Sequence, residues 1–206
     1  MSVARLEIDG PDAVEAVIEA GRFAASHGWV PATSGNFSAR GTDGTIAITA
    51  SGVDKGALDR RDVLEFPLAA DAPANSSAET GLHLALYRRH PAIGAIVHVH
   101  APNGTVLSRR HEAAGEIRLE GYELLKAFAG IRTHATRLAV PVFANSQDIA
   151  TLAEAVDRRL GDAPAAPGYL LASHGLYAWG ATMRDALRHA EAFEYLFGCE
   201  LLGARS

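Results

Sequence analysis

Ile93-Gly94-Ala95-Ile96-Val97-His98-Val99-His100 decides the fold of this chain. The stretch is short, apolar and β-branched, begins after Pro91 and is stopped by Pro102, which predicts a buried strand. Side chains on a strand alternate between its faces. His98 and His100 therefore share one face, and Val97 and Val99 the other. Two imidazoles at i and i+2 on a stiff strand make half of a metal site, since imidazole binds Zn²⁺ and other first-row ions. The alternative is a polar sheet face on which each histidine is hydrogen-bonded to a neighbour.

The 206 residues suffice for one domain, 1–206, with one sizeable core. Hydrophobic residues make up 48% and charged residues 21%, the balance of a soluble globular protein. The net charge of −5 and the lack of a basic run argue against nucleic acid or an anionic membrane as the main partner. Met1 to Gly10 carries no apolar signal region, and no apolar run approaches membrane-spanning length. A single cysteine, Cys199, excludes an intrachain disulfide and fits the cytoplasm.

Helical spacing predicts a helix from Asp12 to His27, with Pro11 in its first turn and Gly28 as its stop. Three small, polar turns precede the histidine strand. The first, Ser34-Gly35-Asn36, leads into a strand. The second, Ala50-Ser51-Gly52-Val53-Asp54-Lys55-Gly56, follows the alternating strand Thr45–Thr49 and carries a lysine. The third, Asn75-Ser76-Ser77, opens a helix running from Ala78 to about His90. Each taken alone is an ordinary solvated turn. Together their N–H groups, hydroxyls and ammonium suit one phosphate pocket. Ser76 and Glu79 fit a capping box, the structural role for that glutamate; the functional one is a carboxylate close to the histidine strand.

Downstream, Asn103–Arg110 reads as a short helix, Glu116–Leu119 as a strand, Glu120–Ala129 as a short helix, and Leu138–Phe143 as a strand whose Pro141 suggests an edge or a strand end. Ser146 is expected to cap a helix to Leu160, and Thr182 with Asp185 one to about Leu202. Trp179, Phe193 and Phe197 read as one core patch. Gly168–Gly175 is a buried strand that ends in His174 and Gly175, with Leu176–Gly180 returning beside it. His174 supplies the third imidazole, and three histidines leave a coordination position open, the catalytic arrangement. His27, His83, His90, His111, His134 and His189 lack paired spacing and read as surface or satisfied residues.

Thr33-Ser34-Gly35-Asn36-Phe37-Ser38, Ser51-Gly52, Ser76-Ser77-Ala78-Glu79, His98-Val99-His100 and His174-Gly175 together resemble the class II aldolase/adducin superfamily over nearly the whole chain. Within it, Ala50–Gly56, Glu123-Leu124-Leu125-Lys126, Asn145-Ser146-Gln147-Asp148 and His174–Gly180 look like a dehydratase branch of methionine salvage. The resemblance implies an α/β fold, a three-layer α/β/α sandwich around a mainly antiparallel sheet, in a homotetramer with the site near a subunit boundary. It implies one Zn²⁺ per subunit on His98, His100 and His174, and phosphate contacts at Gly35, Asn36, Ser51, Gly52, Ser76 and Ser77, with Lys55 nearby. It places the aldolase acid/base at Glu79 and the catalytic glutamate of dehydratase relatives at Glu123.

The implied reaction removes water from 5-methylthioribulose 1-phosphate, giving 2,3-diketo-5-methylthiopentyl 1-phosphate. Glu123 is expected to be the main acid/base, with Glu79 shaping or assisting. The alternatives are a sugar-phosphate aldolase or a pentulose-phosphate 4-epimerase with the same metal and phosphate loops, and an adducin-like interaction module without chemistry. Three converging imidazoles argue against the last.

Overall fold

The histidine stretch forms strand β4, Ala95–Val99, buried along its whole length near the middle of an eight-stranded sheet. The computed structural model describes residues 12–204; Pro11 and the first ten residues lie outside them. Strands β1 (Asn36–Arg40), β2 (Thr45–Thr49), β3 (Val63–Pro67), β5 (Glu116–Glu120), β6 (Arg137–Phe143), β7 (Gly168–Leu171) and β8 (Gly175–Gly180) complete the sheet in the order β3-β2-β1-β4-β8-β7-β6-β5. Every pairing is antiparallel except β6 with β7.

Helices cover both faces. On one lie α1 (Ala13–Ser26), α3 (Pro102–His111) and α5 (Met183–Gly203), packed on Val97, Val99, Leu176 and Ala178. On the other, α2 (Thr80–Arg89) and α4 (Ile149–Leu160) pack on Ile46, Ile48, Ile96 and Tyr177. This is a three-layer α/β/α sandwich. Each large aliphatic side chain buried in its two cores contributes about 1.5–3 kcal/mol. The alternation read from the sequence holds: Val97 and Val99 enter the first core, and Ile96 and His98 share the opposite face.

Helix ends follow local chemistry. Asp12 caps α1 by accepting from Val14 and Glu15 N–H, and Thr182 caps α5 by accepting from Asp185 N–H. Gly28 takes φ +69° just past α1, the left-handed position that favours glycine.

Several expectations need correction. Helix α2 starts at Thr80 with Glu79 as its cap residue, and the Glu79 N–H bonds to Ser77 Oγ, so Ser76 and Glu79 form no capping box. The cap of α4 is Asp148, whose carboxylate accepts from Thr151 N–H; Ser146 only accepts from Asp148 N–H. Glu120 ends β5, and the expected helix is a single 3-10 turn, Glu123–Ala127. Strand β6 lies inside the sheet, but Pro141 sits where pairing to β5 ends at Glu116 and pairing to β7 begins at Val142. A missing N–H is tolerated at such a change of partner. Trp179 belongs to the α2/α4 core, across the sheet from Phe193 and Phe197, because the period of two puts it on the face of Tyr177 and Tyr169.

Candidate metal centre and catalytic site

Antiparallel pairing of β4 with β8 sets His98 opposite Tyr177, whose ring stacks on the imidazole with centroids 4.2 Å apart. His100 lies one residue past β4, its N–H bonded to Trp29 O at 2.8 Å. His174 occupies the turn between β7 and β8, next to Ser173, which takes the left-handed φ of 58°. The structure thus brings the remote third histidine to the other two. One ring nitrogen of each lies within 4.8 Å of the others, and His98 Nε2 is 3.0 Å from His100 Nε2.

The donor set fits a divalent metal. His98 Nδ1–H donates to Leu176 O at 3.2 Å, and His174 Nδ1–H to Asn145 Oδ1 at 3.1 Å. Each bond fixes the tautomer that leaves an Nε2 lone pair pointing inward, as ligand histidines are commonly held. Burial, and then the neighbouring rings of His100 and His174, hold His98 well below the ordinary imidazole pKa. Burial, then His174 and Lys55, lower His100 to about 4. Neutral imidazoles are the ligating form.

Glu79 completes the cluster. Its Oε2 lies 3.4 Å from His98 Nε2, its Oε1 3.3 Å from His174 Nε2, and Asn36 Nδ2 donates to Oε2 at 2.9 Å. Burial pushes the Tyr169 and Tyr177 phenols well above their ordinary range, helped at Tyr169 by the Glu79 carboxylate and at Tyr177 by Tyr169 and then Glu79. Glu123, by contrast, stands exposed on its 3-10 turn, with the Lys126 ammonium and His134 as its partners. The lysine, then the nearby His134, hold its carboxyl below the usual value. It lines a groove with Leu124 and Tyr195, where no metal-site histidine takes part.

The three polar turns meet. Ala50 bridges Ser76, Ser51 N–H donates to Asn75 O at 2.9 Å, and Asn36 Nδ2 reaches Ser77 Oγ at 3.3 Å. Gly35 takes φ +74°, and Ser51 and Gly52 are exposed at the rim. Lys55 is buried, its ammonium donating to Thr33 O at 2.9 Å and Val53 O at 2.8 Å. It clamps the left-handed residues Ala32 and Thr33 that lead into the first turn. From the sequence, His83 read only as a surface or satisfied histidine, and Asn145 and Tyr177 stood only within the stretches Asn145–Asp148 and His174–Gly180, with no role for either side chain. His83 follows Glu79 by four residues, a helical spacing that pairs side chains; Asn145 lies in a loop, where no period marks it as the partner of His174.

Residues 15–201 match the profile of the class II aldolase and adducin N-terminal domain. The chain belongs to that family. A family member from Marinobacter nauticus, called methylthioribulose-1-phosphate dehydratase, is 50% identical over 192 residues, covering 92% of each chain. One of the same name from Parvibaculum lavamentivorans is 48% identical over 194 residues, 94% of this chain and 95% of that one. The crystal structure of L-fuculose-1-phosphate aldolase from Thermus thermophilus superposes with a TM-score of 0.73 at 28% identity, covering 93% of this chain and 95% of its own. The family's fold is therefore the sandwich described above. Among the described residues no helix is long and apolar enough to cross a membrane.

Proposed function

We propose that the chain is a zinc-dependent dehydratase that converts 5-methylthioribulose 1-phosphate to 2,3-diketo-5-methylthiopentyl 1-phosphate in methionine salvage. The observation that carries this reading is the pair of relatives about half identical across more than nine-tenths of the chain, both called methylthioribulose-1-phosphate dehydratase. The converging imidazoles of His98, His100 and His174 support it.

His98, His100 and His174 would hold one Zn²⁺ per subunit. Bound there, the ion would act as a Lewis acid that acidifies the proton on C3, next to the substrate's C2 carbonyl. The chain's own groups handle the protons. A carboxylate takes the C3 proton, and the C–H electrons become the C2–C3 double bond of an enediolate. The C4–O bond then breaks, and the oxygen leaves as water with a proton from a general acid. The enol left behind becomes the diketone by tautomerisation. We assign this work to Glu79, at the histidines, and to Glu123, whose exposed place on the surface suits a site completed by a neighbouring subunit of a homotetramer. The turns at Gly35-Asn36, Ser51-Gly52 and Ser76-Ser77, with Lys55 behind them, receive the phosphate, whose binding energy holds the reacting carbons in place. The unpaired Cys199 fits a cytoplasmic enzyme.

The test is a product assay on 5-methylthioribulose 1-phosphate before chelation, after it, and after zinc is returned. Diketone formation that follows the metal supports the reading. Dihydroxyacetone phosphate without diketone makes the chain an aldolase instead, and an inactive protein that takes up no metal makes it an adducin-like module.

A further inference from the structure

His83 is wholly buried on α2, one turn beyond Glu79, and both of its ring nitrogens are engaged. Nδ1 lies 2.7 Å from Ser38 Oγ and Nε2 2.6 Å from Asn36 Oδ1, while the Tyr87 hydroxyl stands 2.9 Å from the same Ser38 oxygen. Burial lowers the ring's pKa to about 3, so it is neutral, with one N–H and one lone pair. The amide oxygen of Asn36 only accepts, so the N–H sits on Nε2. Nδ1 then accepts from Ser38 O–H, and Ser38 accepts from Tyr87. Every donor points the same way, through Asn36 Nδ2–H to Glu79 Oε2.

The amide of Asn36 has two orientations of nearly the same shape. In the other one its oxygen would face the Glu79 carboxylate, two acceptors 2.9 Å apart. We propose that His83 is a positioning residue: its Nε2–H fixes the amide of Asn36 so that an N–H, not a carbonyl oxygen, holds the Glu79 carboxylate against His98 and His174. A residue that merely filled the core would need no such direction of donors. The inference rests on the proposed dehydratase reading only in taking Glu79 as a working carboxylate.

Two measurements on the full-length, zinc-loaded protein test it. Nitrogen-15 NMR of labelled histidine rings should find His83 as the Nε2–H tautomer; the Nδ1–H tautomer would overturn the proposal. Kinetics then compare His83→Leu, which keeps bulk but neither hydrogen bond, with His83→Gln, whose amide can donate to Asn36 and accept from Ser38. The expected result, on whichever ketose phosphate the wild type turns over, is a loss in kcat of about 10- to 100-fold in the leucine variant. KM should stay within about threefold, and most of kcat should return in the glutamine variant. Equal losses in both variants, or a loss confined to KM, would reject a positioning role. If the leucine variant does not fold, the tautomer and the glutamine variant decide. A wild type inactive on 5-methylthioribulose 1-phosphate sinks the dehydratase reading, while the tautomer still tests the hydrogen-bond chain.

Discussion

Gly175 sits so close to Val99 that a β-carbon on it would lie 2.3 Å from the Val99 carbonyl oxygen, 3.0 Å from His98 Cε1 and 3.2 Å from His100 Cδ2. On the other side of β4, a β-carbon on Gly35 would lie 2.6 Å from the His98 carbonyl oxygen. Both strands flanking the histidine strand thus approach it through a glycine. The His-Gly pair at 174–175 joins the third histidine to the residue whose lack of a side chain lets its strand close on the other two.

Gly175→Ala should therefore cost metal as well as stability. The nearest atom is backbone and cannot turn away, so β8 must shift from β4 and carry His174 with it. Overpacking of this kind costs about 1–3 kcal/mol. Thermal unfolding and the metal content of the purified variant measure the two effects. Unchanged metal content and an unchanged melting temperature would show that the strands have slack.

Asn145 orients His174, and would act through it on any metal held by the three histidines. Its Oδ1 accepts from His174 Nδ1–H at 3.1 Å and sets both the tautomer and the plane of the ring. Asn145→Ala should weaken metal affinity about 10- to 100-fold with the fold intact. Competition against a chelator of known affinity measures it; unchanged affinity would mean that the ring is held by its turn alone.

Acid should destabilise the protein partly through His83. Its pKa is lowered from 6.5 to about 3 in the folded chain by burial. Between those values the unfolded chain binds a proton that the folded chain refuses. The contribution to stability is therefore complete above pH 6.5 and is lost as pH falls towards 3, at up to about 1.4 kcal/mol per pH unit. Urea unfolding of wild type and His83→Gln at pH 7, 6 and 5 isolates the effect, since glutamine does not titrate. The two proteins should converge in stability as the pH falls; parallel curves would contradict the shift.

The fold was legible where one period ran through a segment. Alternation in Thr45–Thr49 gave a strand with the observed bounds, the apolar run Ile93–His100 contains β4 at Ala95–Val99, and Thr182 with Asp185 marked the start of α5. The convergence of His98, His100 and His174 could be read because two share a strand face and the third ends a strand at a glycine. What stayed hidden depends on contacts between distant segments. The Ser76–Glu79 spacing fits a capping box, but the Glu79 carboxylate is drawn instead to Asn36 and the histidines. Lys55 looked like a free ammonium in a polar loop, yet it is buried on two carbonyls supplied by residues 33 and 53. Trp179 fell in the wrong core because shared apolarity does not reveal which side of a sheet a residue faces.

Glu79 and Glu123 divide the last question between them. Glu79 touches His98 and His174, whereas the partners of Glu123 are Lys126 and His134 on an exposed turn. If both carboxylates move protons, Glu79→Gln and Glu123→Gln should each lower kcat by about 10²- to 10⁴-fold, the range for a lost general acid or base, with metal content unchanged. A neighbour's contribution can then be read by mixing. Glu123→Gln keeps the histidines but lacks the carboxylate; His98→Ala keeps the carboxylate but lacks a ligand. In oligomers refolded from both inactive variants, a site built across the boundary can take its histidines from one chain and its glutamate from the other, and part of the turnover should return. Were each site built from one chain, every site would still carry one of the two lesions. Mixed oligomers verified by mass that remain inactive would therefore confine the chemistry to a single subunit.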